Sequence, residues 1–449
     1  MNNLPIELVY NLIEPLASNH DDLLPTLLIN KDFSLESYKL LYSFVAFRPW
    51  QRPDKIIQYF DSIETNPRLA HLTRHLEVRS FPRQLNYNEK QLFYQKICTL
   101  LSHFKNLEIC SWTRAFSLTT DILLILSKLP KLAELELNAG NQLDYDIIFN
   151  SDWNTLNTLK IILPNRDIVV PLHRFLLNRG QQLRSLVILA KESSVIDDNY
   201  IAAISKSLCN LRQLTLGGFK RVTEKGLSRI LLHNNRLRSL CLESLNFSNV
   251  SWDIYLPELE HLTITFSTPE TISRLLDLTR KSTKFRSFTI YSSGMQSLPY
   301  LPEEFITRLL AMHAKSLSTI RIHHVLISQD ALVRLSQHCE GLTELVVHLP
   351  SIDIALILTC ASKWRRLERL HLLGEPSDND IHATSLLPLA KECKNLTQIG
   401  WRSRVWKVVR HGTDISLDLY KQIYIPSVFS VCTILSSDTP TKRVKVIRT

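Results

Sequence analysis

The sequence predicts an α/β solenoid, and three observations carry that prediction. A leucine-spaced phrase, L-x-x-L-x-L in its fullest form, recurs thirteen times between Leu72 and Trp401. From Leu76 to Ile399 the copies follow one another about every 27 residues, too short a unit to bury its own apolar face, so each must stack on its neighbours. Within each copy the last two apolar residues flank a polar one, which is the period of a short strand with one face inward.

Residues 1–45 lie outside the repeat register. Pro5 suits a first helical position, and Glu7 faces the positive end of the helix dipole. Leu8, Val9, Leu12, Ile13 and Leu16 form one apolar stripe. Asn19-His20-Asp21-Asp22 breaks that helix and caps a second one over Leu23, Leu24, Leu28 and Ile29. A third apolar stretch follows through Phe33, Leu35, Leu40 and Leu41. Residues 46–71 read as a helical linker or N-terminal cap.

The repeats occupy 72–404, and Leu211–Arg236 is the fullest example. Leu214 and Leu216 form the strand, Gly217-Gly218 turns the chain, and Thr223 caps a helix from about Glu224. Leu227, Ile230 and Leu231 face inward, and Asn234-Asn235 ends the helix. Residues 405–449 form a C-terminal cap and a basic tail. Of the net charge of +10, the segment from Arg402 onward holds nine Lys/Arg and three Asp, which makes the tail basic rather than the whole protein. Lys442-Arg443-Val444-Lys445 is a weak polyanion or nuclear-import signal.

Composition excludes several classes. Apolar content of 45% and charged content of 21% describe a folded chain. The start has no basic n-region, and no run approaches the ~18 apolar residues of a membrane span. Eight cysteines without a C-x-x-C pair point to reduced thiols, hence to the cytosol or nucleus. Phosphate-cradling glycine loops, G-x-S-x-G and H-E-x-x-H are absent, so no catalytic residues and no cofactor are expected. His323, His324, His348 and His371 lack companion ligands at metal spacing. Trp401, Arg402, Arg404, Trp406, Lys407 and Arg410 interleave aromatics with cations, but a cap over the last layer explains them better than nucleic-acid binding does.

Val222-Thr223-Glu224-Lys225-Gly226-Leu227, with Cys209, Cys339 and Cys393 closing their helices, resembles the cysteine-containing class of leucine-rich repeats. That resemblance implies a curved horseshoe, with parallel strands on the concave side and helices on the convex side. At the N-terminus, LPIELVYNLIEPL followed by DLLPTLLINKDFSL resembles an F-box. Leu4, Pro5, Glu7, Leu8, Leu12, Leu16, Asp22, Leu23, Leu28, Ile29, Asn30, Lys31 and Phe33 fall on its pattern, with Phe33 where many members carry Trp. The whole is similar to fungal F-box proteins with leucine-rich repeats.

The resemblance implies a substrate receptor of an SCF-type cullin–RING ubiquitin ligase. Its three-helix F-box would dock on a Skp-type adaptor, and through it on cullin, by way of Leu4, Pro5, Glu7, Leu8, Leu12, Leu16, Leu23, Leu24, Leu28 and Ile29. The repeats would hold a protein target. On the concave face the early repeats offer Glu108, Glu134 and Glu136, and the late ones offer Arg321, His323, His348, Arg369, His371 and Arg402. That gradient suggests an acidic or phosphorylated target segment at the late end. The competing reading is a ligase-independent repeat scaffold or inhibitor, which shares every feature except adaptor binding.

Overall fold

The computed structural model describes the chain apart from residues 1–4, 19–22, 49–51, 53, 83–84, 141–142, 246, 248–251, 267–271, 273, 293–297, 352, 375–382, 402–403, 413, 422–446 and 449. Leu4, Asp22, Arg402 and the basic run at 442–445 therefore lie outside the described residues. Two compact units divide the chain, one built on Met1–Phe175 and the other on Leu176–Leu435. Both are α/β solenoid, each repeat strand parallel to the next and joined to it through the opposite, largely helical layer.

In the first unit α1 (Ile6–Ile13) starts at Pro5, whose carbonyl accepts from the Leu8 and Val9 amides. The expected second helix is a 3-10 turn over Leu24–Leu28 with Pro25 near its start. Proline cannot donate an amide, and Thr26 turns inward to share a 2.5 Å hydrogen bond with the Ser37 hydroxyl. Asn30 caps α2 (Lys31–Ser43), its side chain accepting from the Asp32 and Phe33 amides at 3.0 Å. Val9, Ile13 and Phe33 close a small core of their own, with Leu40 against it.

The strand ladder then starts earlier than the leucine phrase does. β1 (Phe44–Phe47) pairs with β2 (His75–Val78), so residues 46–71 hold the end of a strand and a repeat helix, α3 (Lys55–Thr65), rather than a linker alone. Phe-Val-Ala-Phe has strand composition without leucine, which hides it from a leucine-based count. β3 (Ile109–Trp112), β4 (Glu134–Asn138) and β5 (Thr158–Ile162) continue the pairing. The helices α4 (Tyr87–Leu101), α5 (Thr120–Ser127) and α6 (Tyr145–Asn150) begin at Asn86, Thr119 and Asp144, each accepting a backbone amide of the first turn. The division between the units falls within α7 (Arg166–Arg179).

The second unit carries nine parallel strands among the described residues. They are β6 (Ser185–Asp197), β7 (Gln213–Arg221), β8 (Ser239–Glu243), β9 (His261–Phe266), β10 (Ser287–Ser292), β11 (Thr319–Leu326), β12 (Glu344–Leu349), β13 (Arg369–Gly374) and β14 (Gln398–Trp401). Opposite them stand α8 (Asp198–Ile204), α9 (Glu224–Leu232), α10 (Glu303–His313), α11 (Gln329–His338), α12 (Ile354–Ala361) and α13 (Ala383–Glu392). Leu240 pairs with Leu262, only 22 residues on, and that short connection has no helix among its described residues. A 3-10 turn, Leu276–Thr279, serves the next one.

Most repeats are locked to the next by one carbonyl. The residue before a strand offers its oxygen to two successive amides of the following repeat: Arg184 accepts from Arg212 (2.7 Å) and Gln213 (3.0 Å), and Arg212 from Arg238 (2.8 Å) and Ser239 (3.0 Å). Glu108, Ala133, Arg238, Glu260, Arg286, Ser318, Thr343 and Glu368 do the same. That clamp aligns Leu214 with Leu240 and Leu216 with Leu242, all four fully buried. The expected turn at Gly217-Gly218 instead lies inside β7, where Gly218 adopts φ +72° against the Ala190 carbonyl.

An antiparallel hairpin, β15 (Arg404–His411) and β16 (Asp414–Lys421), follows the parallel strands. Trp401 and Trp406 are buried there, so neither is free to stack on a base. Arg410 donates to the carbonyls of Ala390, Cys393 and Leu396, satisfying groups left open at the end of α13 and beyond it. Cys339 and Cys393 are buried, and burial pushes their thiols up to about 12 and about 11, so they act as small apolar groups rather than nucleophiles.

Two substitutions test the lock. Leu214→Ala is expected to cost ~2–5 kcal/mol in urea unfolding, with hydrogen exchange accelerated in the adjoining repeats as well. Gly218→Ala would place a Cβ 2.0 Å from the Ala190 carbonyl oxygen at positive φ. It is expected to destabilise by at least ~1–3 kcal/mol, whereas an unchanged midpoint would contradict the geometry.

Candidate functional site

Two surfaces answer to the sequence reading, one in the first unit alone and one that each unit carries on its own strands. The first is the outside of the N-terminal helices. Of eighteen large apolar side chains exposed among the described residues, eight fall between Leu8 and Tyr38: Leu8, Tyr10, Leu12, Leu24, Leu28, Ile29, Leu35 and Tyr38. That concentration in so short a segment marks a candidate docking surface, unlike the scattered exposure of an ordinary exterior. It exists because α1 spends Val9 and Ile13 on the small core, which leaves Leu8 and Leu12 on the other side, one turn apart.

The expected adaptor residues divide. Pro5, Leu8, Leu12, Leu24, Leu28 and Ile29 are exposed, with Leu28 at 88%, and Leu16 is half-buried. Leu23 is a correction. It is 1% exposed, at the residue before the 3-10 turn, and so does not lie on the outer surface. The backbone of Glu7 lies in the first turn of α1, and Leu4 lies outside the described residues. Leu35 and Tyr38, three apart on α2, were not among the expected docking residues. Their signal was available, since α2 buries Phe33, Glu36 and Ser37 and so turns 35 and 38 outward.

The second surface is the strand face away from the helices. In the first unit, Glu77, Ser111, Glu136 and Lys160 occupy one register row across β2 to β5. Arg79 reaches into that row, donating to Glu77 at 2.5 Å, to Thr113 at 3.3 Å and to Glu136 at 3.3 Å. Arg48 donates to the other Glu77 oxygen at 3.3 Å, Ser111 donates to Glu136, and Lys160 pairs with Glu134. Burial alone would raise the Glu77 carboxyl, but Arg79 and Arg48 outweigh it and hold the group below the usual carboxylate range. The acidic stretch expected at Glu134 and Glu136 is therefore answered in place, while Glu108 remains half-exposed with Arg74 3.9 Å away.

The late strands are answered in the same way. Arg321 grips Glu344 with both arms, at 2.6 and 2.7 Å, and Arg369 reaches the same carboxylate at 2.8 Å. Burial tends to raise the Glu344 carboxyl, and the two guanidiniums bring it below its ordinary value instead. The expected cationic cluster is thus a bridged triad. Glu344 was missed because it directly faces Arg369 only once the register is known.

The histidines separate. β11 shifts register between Arg321 and Leu326, with His324 at positive φ, so His348 pairs with Leu326 and not with His323. His323 is 5% exposed and stacks on the Tyr291 ring at 5.3 Å. His371 rests over Gly400, where a Cβ would meet its ring. Burial pushes His323 down to about 3 and His371 to about 4, so both are neutral in the folded protein. Among the described residues no group of His, Cys, Asp or Glu is placed to hold a metal ion, and no helix is long and apolar enough to cross a membrane.

No family model and no curated protein matches the chain. A chain from the crystal structure of the Rad7 and Elc1 complex in yeast aligns over 89% of this chain and 93% of its own length, at 14% identity and a TM-score of 0.41.

The depressed histidines set a pH dependence. Between the ordinary value near 6.5 and the folded value of about 3, the unfolded chain takes up the proton that folded His323 refuses. Stability is complete above that window and falls as pH drops through it, by about 1.4 kcal/mol per pH unit for one such group. His323→Phe keeps a ring on Tyr291 and is expected to flatten the change in urea midpoint between pH 6.5 and 5. An unaltered slope would show that His323 titrates normally.

Proposed function

We propose that this chain is the target-recognition subunit of an SCF-type cullin–RING ubiquitin ligase. The concentration of exposed apolar side chains on α1, the 3-10 turn and α2 carries the reading. A small helical unit that closes its own core and still presents Leu8, Leu12, Leu24, Leu28 and Ile29 outward has the form of a docking module. Its partner in this reading is a Skp-type adaptor that lays apolar surface against those leucines, with cullin joined through the adaptor. The repeats hold the target. Their strand face is polar, ordered by the ladder and rich in fixed ion pairs, and Arg369 is the more exposed cation of the late triad.

The chain makes and breaks no bond in this scheme. It brings a bound protein close to a ubiquitin-charged enzyme, so its contribution is effective concentration. The cytosol or nucleus is the proposed setting. A repeat scaffold or inhibitor would lack only the adaptor contact, so one experiment separates the two readings.

Co-purification of the full chain with a Skp-type adaptor is the test. Wild type is expected to bind, and Leu8→Ala/Leu12→Ala/Leu28→Ala to bind at least ten-fold more weakly, about 1.4 kcal/mol, with an unchanged melting temperature because all three side chains already face solvent. Absence of wild-type binding would overturn the adaptor reading and leave the scaffold.

A further inference from the structure

The strand-start edge of the second unit holds a cavity unlike either surface above. Gln181, Gln182, Arg184, Asn210, Arg212 and Arg236 line it, and its volume is about 300 Å³. That is the lower end of the ~300–1,000 Å³ typical of small-ligand pockets. No carboxylate is among the lining residues.

Its electrostatics follow from the register. Ser185, Gln213 and Ser239 are paired across β6, β7 and β8, so Arg184, Arg212 and Arg238 stand in one column just before them. Adjacent strands are ~4.8 Å apart, and like charges in register repel. Arg238 has an answer in Glu260, 3.9 Å away. Arg184 and Arg212 have no carboxylate partner among the described residues, nor has Arg236, which faces the same cavity. Elsewhere on this protein clustered guanidiniums close on an acid, as Arg321 and Arg369 do on Glu344. Here three line one cavity that has no carboxylate in its walls.

The walls are held in place. The Arg184 and Arg212 carbonyls each clamp two amides of the next repeat, which fixes where both side chains depart. Asn210 donates to the Gln181 carbonyl at 2.8 Å. Gly180 lets the Gly180–Gln182 turn lie so close to the next repeat that an added Cβ would meet the Ser207 carbonyl oxygen at 2.9 Å.

We propose that this cavity is an anion site that takes a phosphoryl group, Arg184 and Arg212 gripping its oxygens in parallel and Arg236 closing from the side. Guanidinium forks match phosphate oxygens two at a time, and a dianion relieves the repulsion along the column. The side-chain amide at Gln181 supplies further donors without adding charge. The phosphoryl group is carried either on a phosphorylated side chain of a protein partner or on a small polyphosphate. The site is separate from the N-terminal leucines and stands whether or not those bind an adaptor.

Calorimetric titration of the full chain at low salt tests it, with inorganic tripolyphosphate, a phosphoserine peptide and its unphosphorylated form as probes. One-to-one saturable binding of a phosphorylated probe is expected, weakened at least ten-fold in Arg184→Gln/Arg212→Gln. Arg286→Gln, in the same column but outside the cavity, is expected to bind like wild type. Preference for the phosphopeptide over tripolyphosphate identifies a protein source, and the reverse order a small polyphosphate. Without ligand the double variant is expected to melt no lower than wild type, because a like-charge contact has been removed. Failure of both phosphorylated probes to saturate, equal binding of the unphosphorylated peptide, or an equal loss in Arg286→Gln would overturn the proposal.

Discussion

The carbonyl before each strand is the constraint on which the rest of this protein depends. Before most strands it accepts two amides from the following repeat and so sets the register one strand at a time, while Ser43, before β1, accepts the Arg74 amide alone. Leucines meet leucines because of it, and the apolar layers of each unit become continuous. A parallel ladder built this way has no freedom to slip, since a shift of one residue would turn every ladder leucine outward. Side chains reinforce the same joints. Asn106, Asn210 and Asn395 donate to carbonyls one repeat back, and Asn234 ties the Leu211 amide to the carbonyl of Ile230.

Register also decides the fate of the charged residues. Glu77 and Glu136 share a row, and Arg79 closes on both; Glu344 faces Arg369 and lies within reach of Arg321. Charges that look like an acidic end and a basic end in the sequence become local, internally balanced clusters. Their cost of partial burial is met by paired geometry, and a single deletion would leave a half-buried charge unanswered. The arginine column at β6 and β7 is the exception, and for that reason it stands out as a site.

The N-terminal helices obey a different economy. They have too few apolar residues to build a large core, so Val9, Ile13 and Phe33 make a minimal one while most of the remaining leucines stay outside. In the repeats, by contrast, nearly every leucine of the phrase is buried by its neighbours. A chain that buries apolar side chains so thoroughly along its repeats and leaves so many exposed within its first 38 residues keeps the residues that hold it together apart from those it presents outward.

Periodicity made the solenoid legible. The thirteen leucine phrases locate β2 to β5 and β6 to β14, and Thr223 and Asn234 mark the two ends of α9. Such signals are local, and local spacing determines local structure. The sequence did not disclose β1, whose strand lacks leucine, or the 3-10 form of the Leu24–Leu28 turn, which hangs on a contact between Thr26 and Ser37 eleven residues apart. Half of the candidate site was equally local. Leu8 and Leu12 are exposed because the stripe of α1 is wider than its small core, whereas Leu23 is buried. What only the tertiary structure decided is which charges meet. Arg321, Glu344 and Arg369 are neighbours, and Arg184 and Arg212 are neighbours, through pairings between strands more than twenty residues apart. Charge is read from composition, but its compensation depends on distance, and distance is fixed by the ladder.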